Sequence, residues 1–254
     1  MKLHMKYDVI SLKSISKTFK TSQKSTLMAL NDISLSIYTN SVTGLVGPNR
    51  SGKSTLLKLI LGILKPDSGE VFRFDKASSD RKTLKMVGAV LESPIFPKHL
   101  SPIEILKILG SFAAIPQVQL EELILSSLKR VGLHDRLNQA VGGFSRGMTQ
   151  RLLIAQAILH DPKLLILDEP LEGLDFEGIQ MLNQLIREWK DKGGCVILVS
   201  HDLDEVEKLC DRVILLKNGT IIRDDSIDNW RDGSGIGALK KRISELCAME
   251  MMGA

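Results

Sequence analysis

Nine consecutive residues, Gly47-Pro48-Asn49-Arg50-Ser51-Gly52-Lys53-Ser54-Thr55, have the types and spacing of a phosphate-binding loop. Gly47 and Gly52 permit backbone geometries that a side chain would block, so successive N–H groups can turn inward and form an anion nest. Lys53 can reach the β- and γ-phosphates as a point charge, the Ser54 hydroxyl can complete the coordination of Mg²⁺, and Thr55 faces the α-phosphate side. A nucleoside triphosphate is the expected ligand. Farther along, Leu164-Leu165-Ile166-Leu167-Asp168-Glu169-Pro170 puts two carboxylates at the end of an apolar run, where ligands bind in open α/β sheets. Strand alternation is expected to aim them in different directions, Asp168 at the metal through water and Glu169 at the attacking water. A general base of this kind contributes roughly 10² to 10⁴ in rate.

These groups need a strand before the loop, a helix after it and a second buried strand for the acids. Val42–Val46 reads as a short buried strand, and the apolar spacing of Leu56–Leu64 is that of a helix packed on a sheet, which adds about half a positive charge at the phosphate end. Val9–Ile15 and Ile33–Ile37 read as strands of a small β unit, and Glu70–Phe74 returns as another after the Lys65-Pro66-Asp67-Ser68-Gly69 turn. From Pro102 to about Leu159 the apolar spacing is helical, which predicts an inserted helical lobe. Lys163–Leu167 and Cys195–Val199 read as parallel core strands covered on both faces, and Val213–Leu216 with Thr220–Arg223 as a hairpin turned at Asn218-Gly219. The expected fold class is α/β: a P-loop NTPase core with a mostly parallel sheet, a small antiparallel β subdomain and an inserted α-helical subdomain at about 93–162. Residues 1–223 form the expected domain, and 224–254 a tail, regulatory, dimer-stabilising or disordered.

A chain of 254 residues, 43% hydrophobic, can bury a proper core. No run approaches the roughly 18 apolar residues that cross a bilayer, and Met1-Lys2-Leu3-His4-Met5-Lys6 has no apolar signal core behind it, so the cytosol is the expected compartment. Cys195, Cys210 and Cys247 lack metal-ligand spacing and are expected as reduced thiols. A net charge of +4, spread along the chain, gives no argument for nucleic acid.

Phe144-Ser145-Arg146-Gly147-Met148 places a Ser and a Gly just before a helical run, a pattern that by itself fits either an N-cap and turn or a second anion site. Taken in order with the phosphate loop, the acid pair, Gly173-Leu174-Asp175 and Ser200-His201-Asp202, it resembles the ATP-binding cassette (ABC) ATPase family, over about residues 7 to 223. The resemblance implies ATP and Mg²⁺ as cofactors and hydrolysis to ADP and phosphate. It also implies a signature loop, usually Leu-Ser-Gly-Gly-Gln, in which Ser145 and Gly147 bind ATP held by another subunit. Arg146 and Met148 give the Ser-Arg-Gly-Met form that looks like exporter-type subfamilies. Asp175 matches the loop that communicates across the dimer, and His201 the switch histidine that contacts the γ-phosphate. Phe19 matches the aromatic that stacks on adenine, or is core.

Two positions depart from the family pattern. Val90-Leu91-Glu92-Ser93-Pro94 offers Glu92 near Mg²⁺ where Gln is usual, and a carboxylate accepts but cannot donate. That loop looks like the one in bacitracin and lantibiotic exporters and related membrane-complex ATPases. Arg50 stands where Gly is common; it is strained if the backbone needs positive φ, and otherwise solvated or near the phosphates. One chain holds one phosphate loop and one signature loop, so the resemblance implies a pair of ATPase subunits, expected as a homodimer. It further implies a separately encoded integral membrane permease, with the chain attached through it to the inner face of the cell membrane. Ile95, Phe96, Pro97 and Leu100 are either contacts for that partner or core. The competing expectation is a soluble ABC ATPase energising a non-transport assembly complex. A degenerate subunit that signals without hydrolysis conflicts with the presence of Lys53, Asp168, Glu169 and His201.

Overall fold

The computed structural model describes residues 7–20, 25–91, 96–113, 115–231, 233 and 237–249. The chain divides into two compact units, Met1–Thr83 with Ile197–Ala254, and Leu84–Val196.

In the first unit, β1 (Asp8–Lys20), β2 (Thr26–Tyr38), β4 (Ser68–Arg73) and β5 (Lys76–Ala77) make an antiparallel sheet ordered β2-β1-β4-β5. The inward set of β1 and β2, Ile10, Leu12, Ile33, Leu35 and Ile37, recurs every second residue, as a sheet with one buried face requires. The alternation is interrupted near Ser14, at φ 48°, where the β1–β2 register shifts at bulges. Between these strands in the chain lies β3 (Ser41–Val46), whose six residues are all buried, followed by the phosphate loop and α1 (Lys53–Ile60). β3 runs parallel to β9 (Arg212–Lys217), which pairs antiparallel with β10 (Thr220–Ser226). Thus α1 stops earlier than the apolar spacing to Leu64 predicts: Gly62 turns to φ 71°, and Ile63 N and Leu64 N both donate back to Lys58 O.

A charge closes that helix end. Arg73 is fully buried on β4, two residues from buried Val71 and therefore on the same face. Its guanidinium donates to Ile60 O at the last turn of α1, to Thr83 Oγ1 at 2.9 Å and to Ser78 O at 2.9 Å. Desolvation lowers its pKa, and the carbonyls of a helix C-terminus are a favourable place for the cation. After 224 the chain continues through the end of β10 into α7 (Ile227–Arg231) and α8 (Ala238–Met249), with Trp230 and Leu239 fully buried.

In the second unit, β6 (Val87–Val90) pairs parallel with β7 (Leu164–Asp168). The sequence pattern assigns no strand to Val87–Ala89 and puts Val90 at the start of the loop carrying Glu92, because four residues are too few to show a period. α2 (Pro102–Phe112) begins in a full capping box, Ser101 with Glu104, and α3 (Gln117–Arg130) and α4 (Arg146–Ile158) complete the helical stretch. α5 (Phe176–Asp191) buries Leu182, Leu185, Ile186 and Trp189, and the Trp189 indole donates to Pro162 O at 3.0 Å. β8 (Cys195–Val199), buried at all five positions, begins in this unit and ends in the first, to which the following α6 (Leu203–Leu209) belongs.

Candidate nucleotide site

The phosphate loop lies in the first unit and its shape depends on the two glycines. A Cβ at Gly47 (φ 151°) would sit 1.9 Å from Leu216 O, and one at Gly52 (φ 109°) 2.5 Å from Ala29 O. The N-cap of α1 is Gly52, which has no side chain to cap the helix, and the N-terminal end of a helix favours an anion. Lys53 Nζ donates to Gly47 O at 2.7 Å and Pro48 O at 3.0 Å, which holds the ammonium over the loop. Below, Gly219 N donates to Ser51 O at 3.0 Å and Asn31 N to Gly219 O at 2.8 Å, so the β9–β10 tip and β2 fix the loop's base. Ser51 is buried, and its hydroxyl has no hydrogen-bond partner among the described residues. Ser54 and Thr55 are half-buried in the first turn of α1, and Pro48 and Asn49 are exposed. A cradle that a Cβ would fill, beside a helix start without a side-chain cap, fits a polyphosphate. Ser54 is a hard oxygen donor suited to the accompanying Mg²⁺.

Arg50 departs from the solvated, unstrained alternative in one respect. Its side chain is exposed, but its φ is 66°, so a non-glycine residue occupies the left-handed region at a cost of about 1–3 kcal/mol. Phe19 lies within β1 rather than after it, half-buried opposite Leu27, with Lys17 Nζ 5.7 Å from its ring centroid. His201 is exposed directly beyond β8. The turn that presents it is held by Asp202 N donating to Ser200 Oγ at 3.0 Å and by Asp202 capping α6 through Asp204 N and Glu205 N.

The acid pair and the signature stretch lie in the second unit. Asp168 is the buried last residue of β7. Strand alternation predicts that Glu169 continues the pleat, but β7 ends at Asp168: the φ of Glu169 is 47°, and the left-handed turn, not the pleat, sets its direction. A non-glycine residue held there is a local strain of the kind that gathers at functional sites. Glu172 N donates to Glu169 O at 3.2 Å, and Gln150 of α4 donates to Pro170 O at 3.1 Å. Ser145 is the N-cap of α4, accepting from Met148 N at 3.2 Å. Gly147 approaches so near the 173–175 turn that a Cβ would lie 2.7 Å from Gly173 O. Arg151 donates to Asp175 Oδ1 at 2.8 Å and to Val131 O at 3.3 Å. Asp175 also caps α5; the Gly178 N–H first, then Arg151, hold its carboxyl below the usual range. A cleft of about 470 Å³ opens among these groups, with Arg136, Ser145, Arg146 and Asp175 on its wall.

Glu92 and Ile95 lie outside the described residues; Phe96 and Leu100 are half-buried and Pro97 is exposed. Sequence reading missed Arg73, Arg151 and Gln150. Arg73 had a signal, a charge at an inward position of a strand, whereas the other two read as ordinary helix surface.

The phosphate cradle, the acid turn and the Ser145–Gly147 helix start occur here in the chain order of one known family, and a family model described as "ABC transporter" matches residues 30–172. The chain belongs to the ABC transporter family. It is an ATP-binding cassette with a P-loop ATPase fold. The uncharacterized ABC transporter ATP-binding protein YdbJ of Bacillus subtilis is 43% identical over 195 residues, 76% of this chain and 62% of that protein. This chain thus spans about six tenths of that relative's length. The lantibiotic transport ATP-binding protein SrtF of Streptococcus pyogenes is 37% identical over 199 residues, 78% of this chain and 85% of that protein. Among solved structures, the dimeric post-hydrolysis state of the ATP-binding cassette MJ0796, bound to ADP and Pi, superimposes with a TM-score of 0.76 at 26% identity. It covers 86% of this chain and 98% of that one. No helix among the described residues of the cassette is long and apolar enough to cross a membrane.

Proposed function

We propose that this cassette is the ATP-hydrolysing subunit of an export-type transporter, that it works as a pair of copies, and that a separately encoded membrane subunit carries the cargo path and holds it at the inner face of the membrane. The observation that carries the ATPase reading is the geometry of residues 47–55, a cradle closed to any Cβ with Lys53 already held above it. In this reading the loop N–H groups and Lys53 bind the phosphates, Phe19 stacks on the base, and Ser54 and Asp168 hold Mg²⁺ with Glu92 near it. The metal, when bound, neutralises charge that develops on the transferred phosphoryl group. Glu169 accepts a proton from the attacking water, and His201 hydrogen-bonds the γ-phosphate and orients that water. The strained backbone at Glu169 supports this role, since its carboxylate is aimed by the turn and the Gln150 bond to Pro170.

A pair of copies follows from one phosphate loop and one signature loop per chain. Ser145 and Gly147 then contact the γ-phosphate held by the other copy, and Asp175, tied to α4 through Arg151, reports its presence. ATP favours the closed pair and hydrolysis favours opening, which can drive a membrane partner. Export is supported by the Ser-Arg-Gly-Met form of the signature and by the name of the SrtF relative. The test is size-exclusion light scattering of Glu169→Gln beside wild type, with MgATP. The Gln variant is expected to dimerise while wild type hydrolyses and stays monomeric, with Lys53→Ala as the non-binding control. A Glu169→Gln protein that binds ATP yet stays monomeric sinks the homodimer reading.

A further inference from the structure

Two buried charges of the first unit are satisfied by the residues that follow β10. Glu207 on α6 is 1% exposed, and both of its carboxylate oxygens are met from this segment. Arg231 Nε donates to Oε1 at 3.3 Å and Gly237 N donates to Oε2 at 2.8 Å, while Arg231 Nη2 also donates to Glu207 O at 2.7 Å. α6 begins two residues after His201, capped by the same Asp202 that shapes the histidine's turn. The second charge is Lys217, 9% exposed at the end of β9. Its ammonium donates to Cys247 O at 2.8 Å, in the last turn of α8, where carbonyls lack helix partners and the helix dipole favours a cation. Lys217 is also fixed within the machinery of the phosphate loop. The residue before it, Leu216, supplies the carbonyl that closes the space beside Gly47, and Gly219 two residues later donates to Ser51 O.

A buried charge has a steep dependence on the position of its partners, so each of these contacts fixes the backbone that bears it more firmly than an apolar contact of equal area. We propose that the α7–α8 segment is a positioning element of the nucleotide site: through Lys217 it holds the β9–β10 tip against the phosphate loop, and through Glu207 it holds α6 behind His201. The proposal rests on residues 47–55 being the ATP loop. It assigns Lys217 and Glu207 as positioning residues with separable effects. Loss of the first loosens the cradle and weakens ATP binding; loss of the second leaves the cradle intact and slows turnover.

The experiment compares Lys217→Met, Lys217→Arg and Glu207→Gln with Ile243→Ala, which thins the buried apolar face of α8 and removes no charge or hydrogen-bonding group. ATP affinity, kcat, melting temperature and amide exchange of residues 47–55 without nucleotide are measured for each. Lys217→Met is expected to bind ATP on the order of tenfold more weakly, with faster exchange in the loop, and Lys217→Arg to stay near wild type. Glu207→Gln is expected to keep the affinity and lose on the order of tenfold in kcat. Ile243→Ala should lower the melting temperature and leave affinity, kcat and loop exchange unchanged. The proposal is overturned if Lys217→Met and Glu207→Gln leave the kinetics and the loop exchange unchanged. It is equally overturned if Ile243→Ala reproduces their effects at the same loss of melting temperature. Should the wild type itself fail to bind ATP, the nucleotide reading falls, and loop exchange in Lys217→Met against Ile243→Ala still decides the coupling.

Discussion

Gly47→Ala tests the cradle at its tightest point. A Cβ there would lie 1.9 Å from Leu216 O, where contacts under 3.0 Å are essentially never seen, so the loop must retreat by roughly 1 Å. The obstacle cannot swing aside, because it is a backbone oxygen of β9, and Leu216 is paired with Ile221 of β10. A retreat of roughly 1 Å moves a loop N–H from about 2.9 Å to about 3.9 Å from a phosphate oxygen, beyond hydrogen-bond range. Two such charge-assisted bonds, at about 1.5 kcal/mol each, correspond to roughly 100-fold weaker ATP binding. Titration calorimetry with MgATP, in a Glu169→Gln background that prevents turnover, measures this directly beside a thermal melt. Gly143→Ala is the matched control, since the nearest atom to its added Cβ is the flexible Gln139 Nε2 at 3.6 Å. If folded Gly47→Ala binds ATP within about threefold of its parent, the reasoning from loop geometry to affinity is refuted.

Three further outcomes are expected. The Asp67 carboxyl is held down to about 2 from 3.8, by Lys17 Nζ first and then by Thr18 N and Oγ1, bonds that join the turn after α1 to β1. A depressed folded pKa means a stabilisation fully present above pH 3.8 and lost as pH falls toward about 2, so Asp67→Asn should flatten that acid limb in a pH series of thermal melts. Trp230→Phe removes the indole donor to Val213 O, 2.9 Å away in the core, and should cost about 1–3 kcal/mol in urea unfolding, more than a surface change and less than Trp230→Ala. Arg151→Lys replaces a fork that reaches Val131 O and Asp175 from two separate nitrogens with a single ammonium; ATP affinity of the monomer should hold while kcat falls by a factor of a few, and an unchanged kcat would remove Arg151 from the proposed signalling path.

The local parts of the site were legible in the chain because their chemistry is written in consecutive residues. Residues 47–55 specify their own turn, nest and helix start, and the position of β3 and α1 around them follows from apolar period. The run Leu164–Leu167 similarly announced a buried strand ending in acids. Ser145 and Gly147 were readable only by their order relative to those motifs, since an isolated Ser before a helix is an ordinary cap.

What the tertiary structure alone decided lies in pairings between distant residues and in backbone states that no period encodes. The direction of Glu169 is set by a φ of 47° that the surrounding turn imposes, against the alternation that its neighbours suggest. Arg50 is held at φ 66° at a position where its own preference argues otherwise. Lys217 and Cys247, thirty residues apart, or Glu207 and Gly237, equally far, show nothing of each other in one dimension. Amphipathic period reports which side of an element faces inward, but a buried charge is tolerated only where a specific partner arrives from elsewhere in the fold. The sequence by itself therefore determined which ligand the loop is built to hold, and the packed structure determined how firmly, and by which remote groups, that loop and its neighbours are kept in place.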